Sequence, residues 1–314
     1  MEPKQSKFIS VLYYSFLVHG SPVLIISKGS GIDLQDLISY TGGITEKSAI
    51  FYTSEIICGL EHLHALQIVH LDIKPANVLL TDTGHVMISD FDRSYDITRE
   101  AKPPTSLDFT GTAYFMAPEI IQRKVITTKA DVWSLGILMA VLVCGLKRLK
   151  PSTLNEITES SKRGTLAVKV FANFSGPLKS FFNACLQYHY RGRASVAALK
   201  RLRFYKSVDW NQVAAGGTRP PYKTSEIPKP ASRMELKADP HDPSILAAAY
   251  GKDSPQVNGH FLCKKDGKNK WFLRTHPPSL FKLPVARKVL KKDNGCITDF
   301  HFINPRLSSN VHKA

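Results

Sequence analysis

Eleven consecutive residues constrain this chain more than any others: His70-Leu71-Asp72-Ile73-Lys74-Pro75-Ala76-Asn77-Val78-Leu79-Leu80. An Asp, a Lys and an Asn fall within six positions, and the apolar residues beside them read as buried strand. A second short strand, His85-Val86-Met87-Ile88-Ser89, runs into Asp90, with Thr83-Gly84 turning between the two. A hairpin of this kind gathers Asp72, Asn77 and Asp90 around one small volume. Asn77 and Asp90 offer two oxygens suited to magnesium, which commonly completes its shell with water and substrate phosphates. Asp72 is a separate carboxylate able to orient a hydroxyl and accept its proton. Lys74 is placed to neutralise a transferring phosphoryl group. A lone Asp-x-Lys reads as a surface pair; the ordered set supplies what phosphoryl transfer requires.

The surroundings read as a folded, mainly helical protein. The chain has 314 residues and is 43% hydrophobic, enough for one large domain or two ordinary ones. Residues 8–18 and 22–27 are β-branched and aromatic runs that read as a hairpin across His19-Gly20-Ser21. Leu34, Leu37 and Ile38 open a short helix. Thr45-Glu46-Lys47-Ser48 caps a second one, whose apolar face Ala49, Tyr52, Ile56, Leu60 and Leu63 carries it to about residue 66. From Lys129 to about 204 helical patterns dominate. The apolar run Leu135–Cys144 spans ten residues, against roughly 20 for a membrane span, and reads as a buried core helix. Beyond Ala214 the Gly- and Pro-rich GGTRPPYKTSEIPKP reads as an extended tail or linker.

Several successive motifs resemble the protein kinase family. HLDIKPANVLL resembles the catalytic loop, with Leu71 where the family usually has Arg; Asp90-Phe91-Asp92 resembles the DFG motif, with Asp92 in place of its Gly. Gly111-Thr112-Ala113-Tyr114-Phe115-Met116-Ala117-Pro118-Glu119 is similar to the segment ending in APE, and Asp131-Val132-Trp133-Ser134-Leu135-Gly136 to the start of the central helix. The resemblance covers roughly residues 8–210. It implies an α+β, protein-kinase-like fold with a mainly helical large lobe, and transfer of the γ-phosphoryl of ATP, with magnesium, to protein Ser or Thr hydroxyls. It implies Asp72 as catalytic base, Lys74 as phosphate contact, and Asn77 and Asp90 as magnesium ligands. Lys74 together with Thr112 resembles the serine/threonine branch. Ile26 is implied to face the adenine, Asp33 to lie at the ribose, and Leu79 to line the nucleotide site. His70 and Phe91 are implied to pack beside it, Glu119 to pair with Arg193, and Asp131 to hold the catalytic-loop backbone.

Phe204-Tyr205-Lys206-Ser207-Val208-Asp209-Trp210, Arg219-Pro220-Pro221-Tyr222-Lys223 and Phe300-His301-Phe302-Ile303-Asn304-Pro305 resemble the domain end and C-terminal tail of AGC-type kinases. The implied organisation is a small-lobe remnant of two strands over 1–27, a large lobe over 28–210, and a basic, partly extended tail over 211–314. The sequence holds no G-x-G-x-x-G followed by a strand lysine, and Gly29-Ser30-Gly31 comes too late to serve. Losing those parts implies transfer slower by about 10²–10³ or more, in a chain that is a fragment of a longer product or a pseudokinase acting as a scaffold. Leu71, with Asp108 at the implied phosphothreonine position, removes both halves of the usual activation switch; simple loss in a chain no longer selected for catalysis reads the same way.

Net charge is +16, which favours anionic partners without choosing among them. Between Lys264 and Lys292 stand ten Lys or Arg residues and one acid, Asp266, with Trp271, Phe272 and Phe281 interleaved. Residues 261–296 read as a solvated basic tail, with anionic lipid or an acidic protein as candidate partner and no nucleic-acid fold signature. Cys58, Cys144, Cys185, Cys263 and Cys296 are scattered without a CxxC pair. With no signal peptide evident, they read as reduced thiols of an intracellular protein, cytoplasmic or nuclear.

Overall fold

The computed structural model describes residues 5–18, 21–98, 104, 108–164, 168–229 and 302–303. The chain forms two compact units, one from Met1–Ser10 with Gly29–Pro228, the other from Val11–Lys28 with Lys229–Ala314.

The second unit contains the expected hairpin. Strands β1 (Leu12–Val18) and β2 (Ser21–Ile26) pair antiparallel, with Val18 opposite Ser21 and an irregularity between Leu12 and Tyr14. Phe8 and Ile9, expected in the same run, do not belong to it. They are buried in the first unit, where the Ile88 N–H donates to the Phe8 carbonyl (2.8 Å) and Ser10 N–H to the Ile88 carbonyl (2.9 Å). An apolar run eleven residues long reads as one strand in sequence, but its first two residues are buried in the first unit while β1 belongs to the second.

The first unit is mainly helical. Strand β3 (Ile32–Asp33) leads into α1 (Leu34–Thr41), which buries Leu34, Leu37 and Ile38. Helix α2 (Glu46–Ala65) starts where the capping residues require, the Thr45 side chain accepting from Ser48 N–H (3.2 Å). Strand β4 (Ile68–Val69) follows, then β5 (Val78–Leu80) and β6 (Val86–Ile88), an antiparallel pair with Val78 opposite Ile88; β5 also pairs with β3, Leu79 lying opposite Asp33. A two-residue β7 (Tyr95–Asp96) pairs with β4. The helices α3 (Pro118–Ile121), α4 (Lys129–Cys144), α5 (Pro151–Lys162), α6 (Gly176–Cys185), α7 (Val196–Leu199) and α8 (Trp210–Ala214) complete the unit.

Helix α4 is apolar around its whole circumference and is accordingly the buried axis of the unit. Gly136 lets α6 reach it: a Cβ there would lie 2.8 Å from the Cys185 Cβ. Phe181, Phe182, Phe204 and Tyr205 fill the space beyond.

The stretch after Ala214 is extended, yet to Pro228 it is packed rather than a free linker. Thr224 Oγ1 donates to the Asp82 carbonyl (3.0 Å) and Ile227 is buried. Gly84, at φ 90°, is tight against it: a Cβ there would meet Pro220 and the Tyr222 carbonyl at 2.9 Å. In the second unit, β8 (Phe302–Ile303) lies antiparallel on β1, Tyr14 opposite Ile303 and Ser15 opposite Phe302. The strand edge that the sequence leaves open is therefore covered here by the chain's own late segment. The basic residues 261–296 lie outside the described residues.

Candidate active site

Three of the residues singled out from sequence, Lys74, Asn77 and Thr112, converge on the carboxylate of a fourth, Asp72. Asp72 sits in the loop between β4 and the 3₁₀ turn Pro75–Asn77, not in a strand. Its Oδ1 accepts from the Thr112 N–H (2.8 Å) and hydroxyl (2.7 Å); its Oδ2 accepts from Lys74 Nζ (2.7 Å) and Asn77 Nδ2 (3.0 Å). Lys74 also donates to Thr112 Oγ1 (2.8 Å). Burial pushes the Asp72 carboxyl up, but the Lys74 and Thr112 hydrogen bonds and the Lys74 charge outweigh it and hold the group below the usual range. Asp72 is therefore ionised at neutral pH and fixed in direction.

The loop itself is fastened from beneath. Asp131, fully buried in the first turn of α4, accepts from the His70 N–H through Oδ2 and from the Leu71 N–H through Oδ1, both at 2.9 Å. His64 Nε2 lies 2.9 Å from the same Oδ2. These bonds hold Leu71 at φ 63°, a conformation costly for a branched side chain. His70 is buried against Phe91, ring centroids 4.9 Å apart; burial lowers its pKa despite the nearby carboxylates, so the ring is neutral.

Asn77 and Asp90 end up as neighbours because the β5–β6 ladder continues past its last pair. The Ser89 N–H and hydroxyl both donate to the Asn77 carbonyl, at 2.9 and 3.1 Å. Asn77 Nδ2 is committed to Asp72, through its carbonyl (2.9 Å) as well as its carboxylate. That commitment leaves Oδ1 as the amide atom facing away, the atom a hard cation needs. Asp90 adopts φ 69°. Asp92 is pushed up by burial and then by the Asp90 charge, so negative charge is crowded here. An amide oxygen beside a surplus of carboxylates fits magnesium. Among the described residues no group of three or more His, Cys, Asp or Glu side chains is arranged to hold a metal ion.

Other expectations fall out differently. Asp33 has no accessible surface; its side chain caps α1, accepting from Asp36 N–H (2.9 Å) while Asp36 returns a bond to the Asp33 N–H (3.0 Å). Leu79 is half-buried on β5 between Asp33 and Met87. Ile26 belongs to the hairpin unit, 41% exposed at the end of β2. Glu119 and Arg193 form a buried two-pronged pair, Nη1–Oε1 2.6 Å and Nη2–Oε2 2.9 Å. Ser134 on α4 donates to the Phe115 carbonyl (2.8 Å), tying the segment after Thr112 to the core.

Sequence reading missed Arg93. Its Nε lies 3.8 Å from Asp72 Oδ2 and 4.0 Å from Asp92 Oδ1. The signal for it was the substitution at Asp92: an acid in that position calls for a cation beside it.

An ionised, tightly held carboxylate with a lysine and a threonine on it stands next to the side-chain oxygens of Asn77 and Asp90, an arrangement able to orient a hydroxyl beside a cation. The chain belongs to the protein kinase domain family, whose pattern matches residues 1–205. It is 33% identical to the ribosomal protein S6 kinase alpha-6 of Danio rerio over 264 residues, 82% of this chain and 34% of that protein. Identity is 31% to the Homo sapiens ribosomal protein S6 kinase alpha-2, over 81% of this chain and 34% of the relative. The chain thus spans about a third of the length of these relatives. Their likeness bears out the AGC-type resemblance and the α+β kinase fold. No helix among the described residues is long and apolar enough to cross a membrane.

Proposed function

We propose that this chain carries the phosphoryl-transfer half of an AGC-type serine/threonine kinase, taking ATP and a protein Ser or Thr hydroxyl as substrates. The observation that supports this best is the Asp72 carboxylate, held by four donors so that it orients an incoming hydroxyl instead of collapsing onto a neighbour. The hydroxyl oxygen bonds to the γ-phosphorus as the bond from phosphorus to the ADP oxygen breaks, and its proton passes to Asp72. Lys74 balances charge on the moving phosphoryl group, and Thr112 fixes Asp72 and Lys74 relative to each other. Asn77 Oδ1 and Asp90 would hold magnesium, which supplies charge neutralisation at the β- and γ-phosphates. Ile26, Leu79 and Asp33 are nucleotide contacts on the family resemblance alone. Residues 261–296 remain the proposed site for anionic lipid or an acidic protein, in a cytoplasmic or nuclear setting.

With no glycine-rich loop or strand lysine in its sequence, the chain as it stands transfers slowly. A second reading, a non-catalytic scaffold, is favoured by Arg93 and Asp92, whose charges crowd Asp72 and Asp90. The test is transfer of labelled γ-phosphate to mixed Ser, Thr and Tyr peptides, with Asp72→Asn as control. Phosphoserine and phosphothreonine that fall about 10²–10⁴-fold in the variant are expected. Phosphotyrosine, or a product indifferent to Asp72, would contradict the proposal.

A further inference from the structure

The turn that follows Asp90 carries unmet polar groups. The Ser94 N–H donates to the Phe91 carbonyl (3.1 Å), which closes residues 91–94 into a tight turn, and Phe91 is itself packed against the His70 ring. Asp92 and Arg93 therefore stand at its two central positions. Asp92 Oδ1 and the Ser94 hydroxyl are both buried, and among the described residues neither has a hydrogen-bond partner. Arg93 is in a similar state. Its Nε lies 3.8 Å from Asp72 Oδ2 and 4.0 Å from Asp92 Oδ1, close enough for attraction but too far for a hydrogen bond. Among the described residues its guanidinium completes no hydrogen bond at all. Buried polar groups are almost always paired, so unpaired ones gathered on one turn point to a group that binds there.

The guanidinium stands where the transferred group passes. Asp72 Oδ2 is already occupied by Lys74 Nζ (2.7 Å) and Asn77 Nδ2 (3.0 Å), so Arg93 brings charge to it and no bond. A hydroxyl held by Asp72 lies about 3 Å from the carboxylate, and the phosphorus it attacks stands about 3–3.5 Å beyond. With Nε 3.8 Å from Asp72 and a side chain 36% exposed, Arg93 falls within that span and is open to an incoming group. Its planar fork of five N–H donors suits a pair of phosphoryl oxygens, which neither acid offers it here. Asp72 and Asp92 flank Arg93 and would repel a phosphate, so a second cation beside Lys74 matters to its entry.

We propose that Arg93 is a second phosphate contact of the site: when nucleotide binds, its guanidinium swings from the two acids and donates to oxygens of the γ-phosphoryl group, beside Lys74. The proposal rests on the phosphoryl-transfer reading of Asp72 and deepens it by adding a catalytic residue. It gives Arg93 the opposite part from the one it has in the scaffold reading, where its charge closes off Asp72. A charge-assisted hydrogen bond from a partly exposed arginine to phosphate amounts to about tenfold or more in affinity. ADP lacks the γ-phosphoryl group and does not feel it.

The test is isothermal titration calorimetry with ATP and with ADP, each with magnesium, beside transfer of labelled γ-phosphate to a Ser peptide. The protein is compared with Arg93→Met, which keeps an apolar stem and removes the charge, and with Asp92→Asn/Arg93→Met. The expected result is that Arg93→Met weakens ATP binding about tenfold or more, weakens ADP binding by less than about threefold, and slows transfer at least as much as it weakens ATP. The double variant should be impaired to the same degree. Recovery of ATP binding in the double variant would overturn the proposal, because Arg93 would then do no more than balance Asp92. Equal weakening of ATP and ADP would overturn it too, as the mark of a damaged turn. So would unchanged ATP binding or faster transfer in Arg93→Met, the second being the mark of a residue that closes off Asp72. In each of these outcomes transfer that still depends on Asp72 leaves the phosphoryl-transfer reading standing. If the unaltered protein binds neither nucleotide, both fall.

Discussion

Replacing Arg193 with Met should lower the unfolding free energy by about 3–5 kcal/mol in urea titrations. The reason is what remains behind. Glu119 is buried, and without the guanidinium its carboxylate has lost both bonds of a two-pronged pair. The Gln187 and Lys129 carbonyls lose donors at the same time, and Trp133 loses the cation 5.2 Å from its ring centroid. Adding Glu119→Gln should recover part of the loss, because the isolated buried charge is then gone; the double variant should be less destabilised than the sum of the singles. A single-variant loss under about 1 kcal/mol would mean that water reaches the pair and that the burial described is wrong.

The second large effect is expected at Asp131. Its carboxylate receives the backbone N–H groups of His70 and Leu71, in a place with no exposure. Asp131→Ala orphans both donors, each worth about 1–3 kcal/mol when left buried and unsatisfied. It also frees Leu71 from a left-handed conformation that these bonds hold. The expected loss is about 3 kcal/mol or more in urea titrations. Local hydrogen exchange should rise first at His70 and Leu71. Asn at this position should help little: it keeps one acceptor oxygen and turns an NH₂ towards a donor. If the loop amides exchange no faster in Asp131→Ala, the loop is held by something else.

Much of this was legible because local and long-range signals agreed. Thr45 at the head of α2 and the all-apolar α4 follow from residue type and spacing, whereas the partners of Glu119 and Asp131 followed from the resemblance to the kinase family. The convergence of Asp72, Lys74, Asn77 and Thr112 followed from motif order, since Thr112 is forty residues from Asp72 and no periodicity links them. Three features were hidden for physical reasons. Phe8 and Ile9 look like the strand that follows them, since hydrophobicity does not say to which unit a residue belongs. Residues 215–228 look like a linker, because Gly and Pro mark both free chain and a strap pressed flat against a turn. The pairing of β8 with β1 depends on an open strand edge, and nothing in Phe302-Ile303 alone specifies its partner. The capping role of Asp33 was also open to sequence, in the Asp-x-x-Asp spacing of Asp33 and Asp36.

The most direct test of the account is the melting temperature of this chain with ATP and magnesium, beside Asp90→Asn. Asn is among the residues that best tolerate the φ of 69° at that position, so the variant removes charge without straining the backbone. A ligand that binds only the folded state stabilises it by about 2.7 kcal/mol at a hundred times its Kd. That corresponds to a shift of about 5 °C or more for a unit of this size. The expected result is such a shift in the protein and its loss in Asp90→Asn. The same shift in both proteins, or none at millimolar ATP, would contradict the assignment of Asn77 and Asp90 as a nucleotide–metal site.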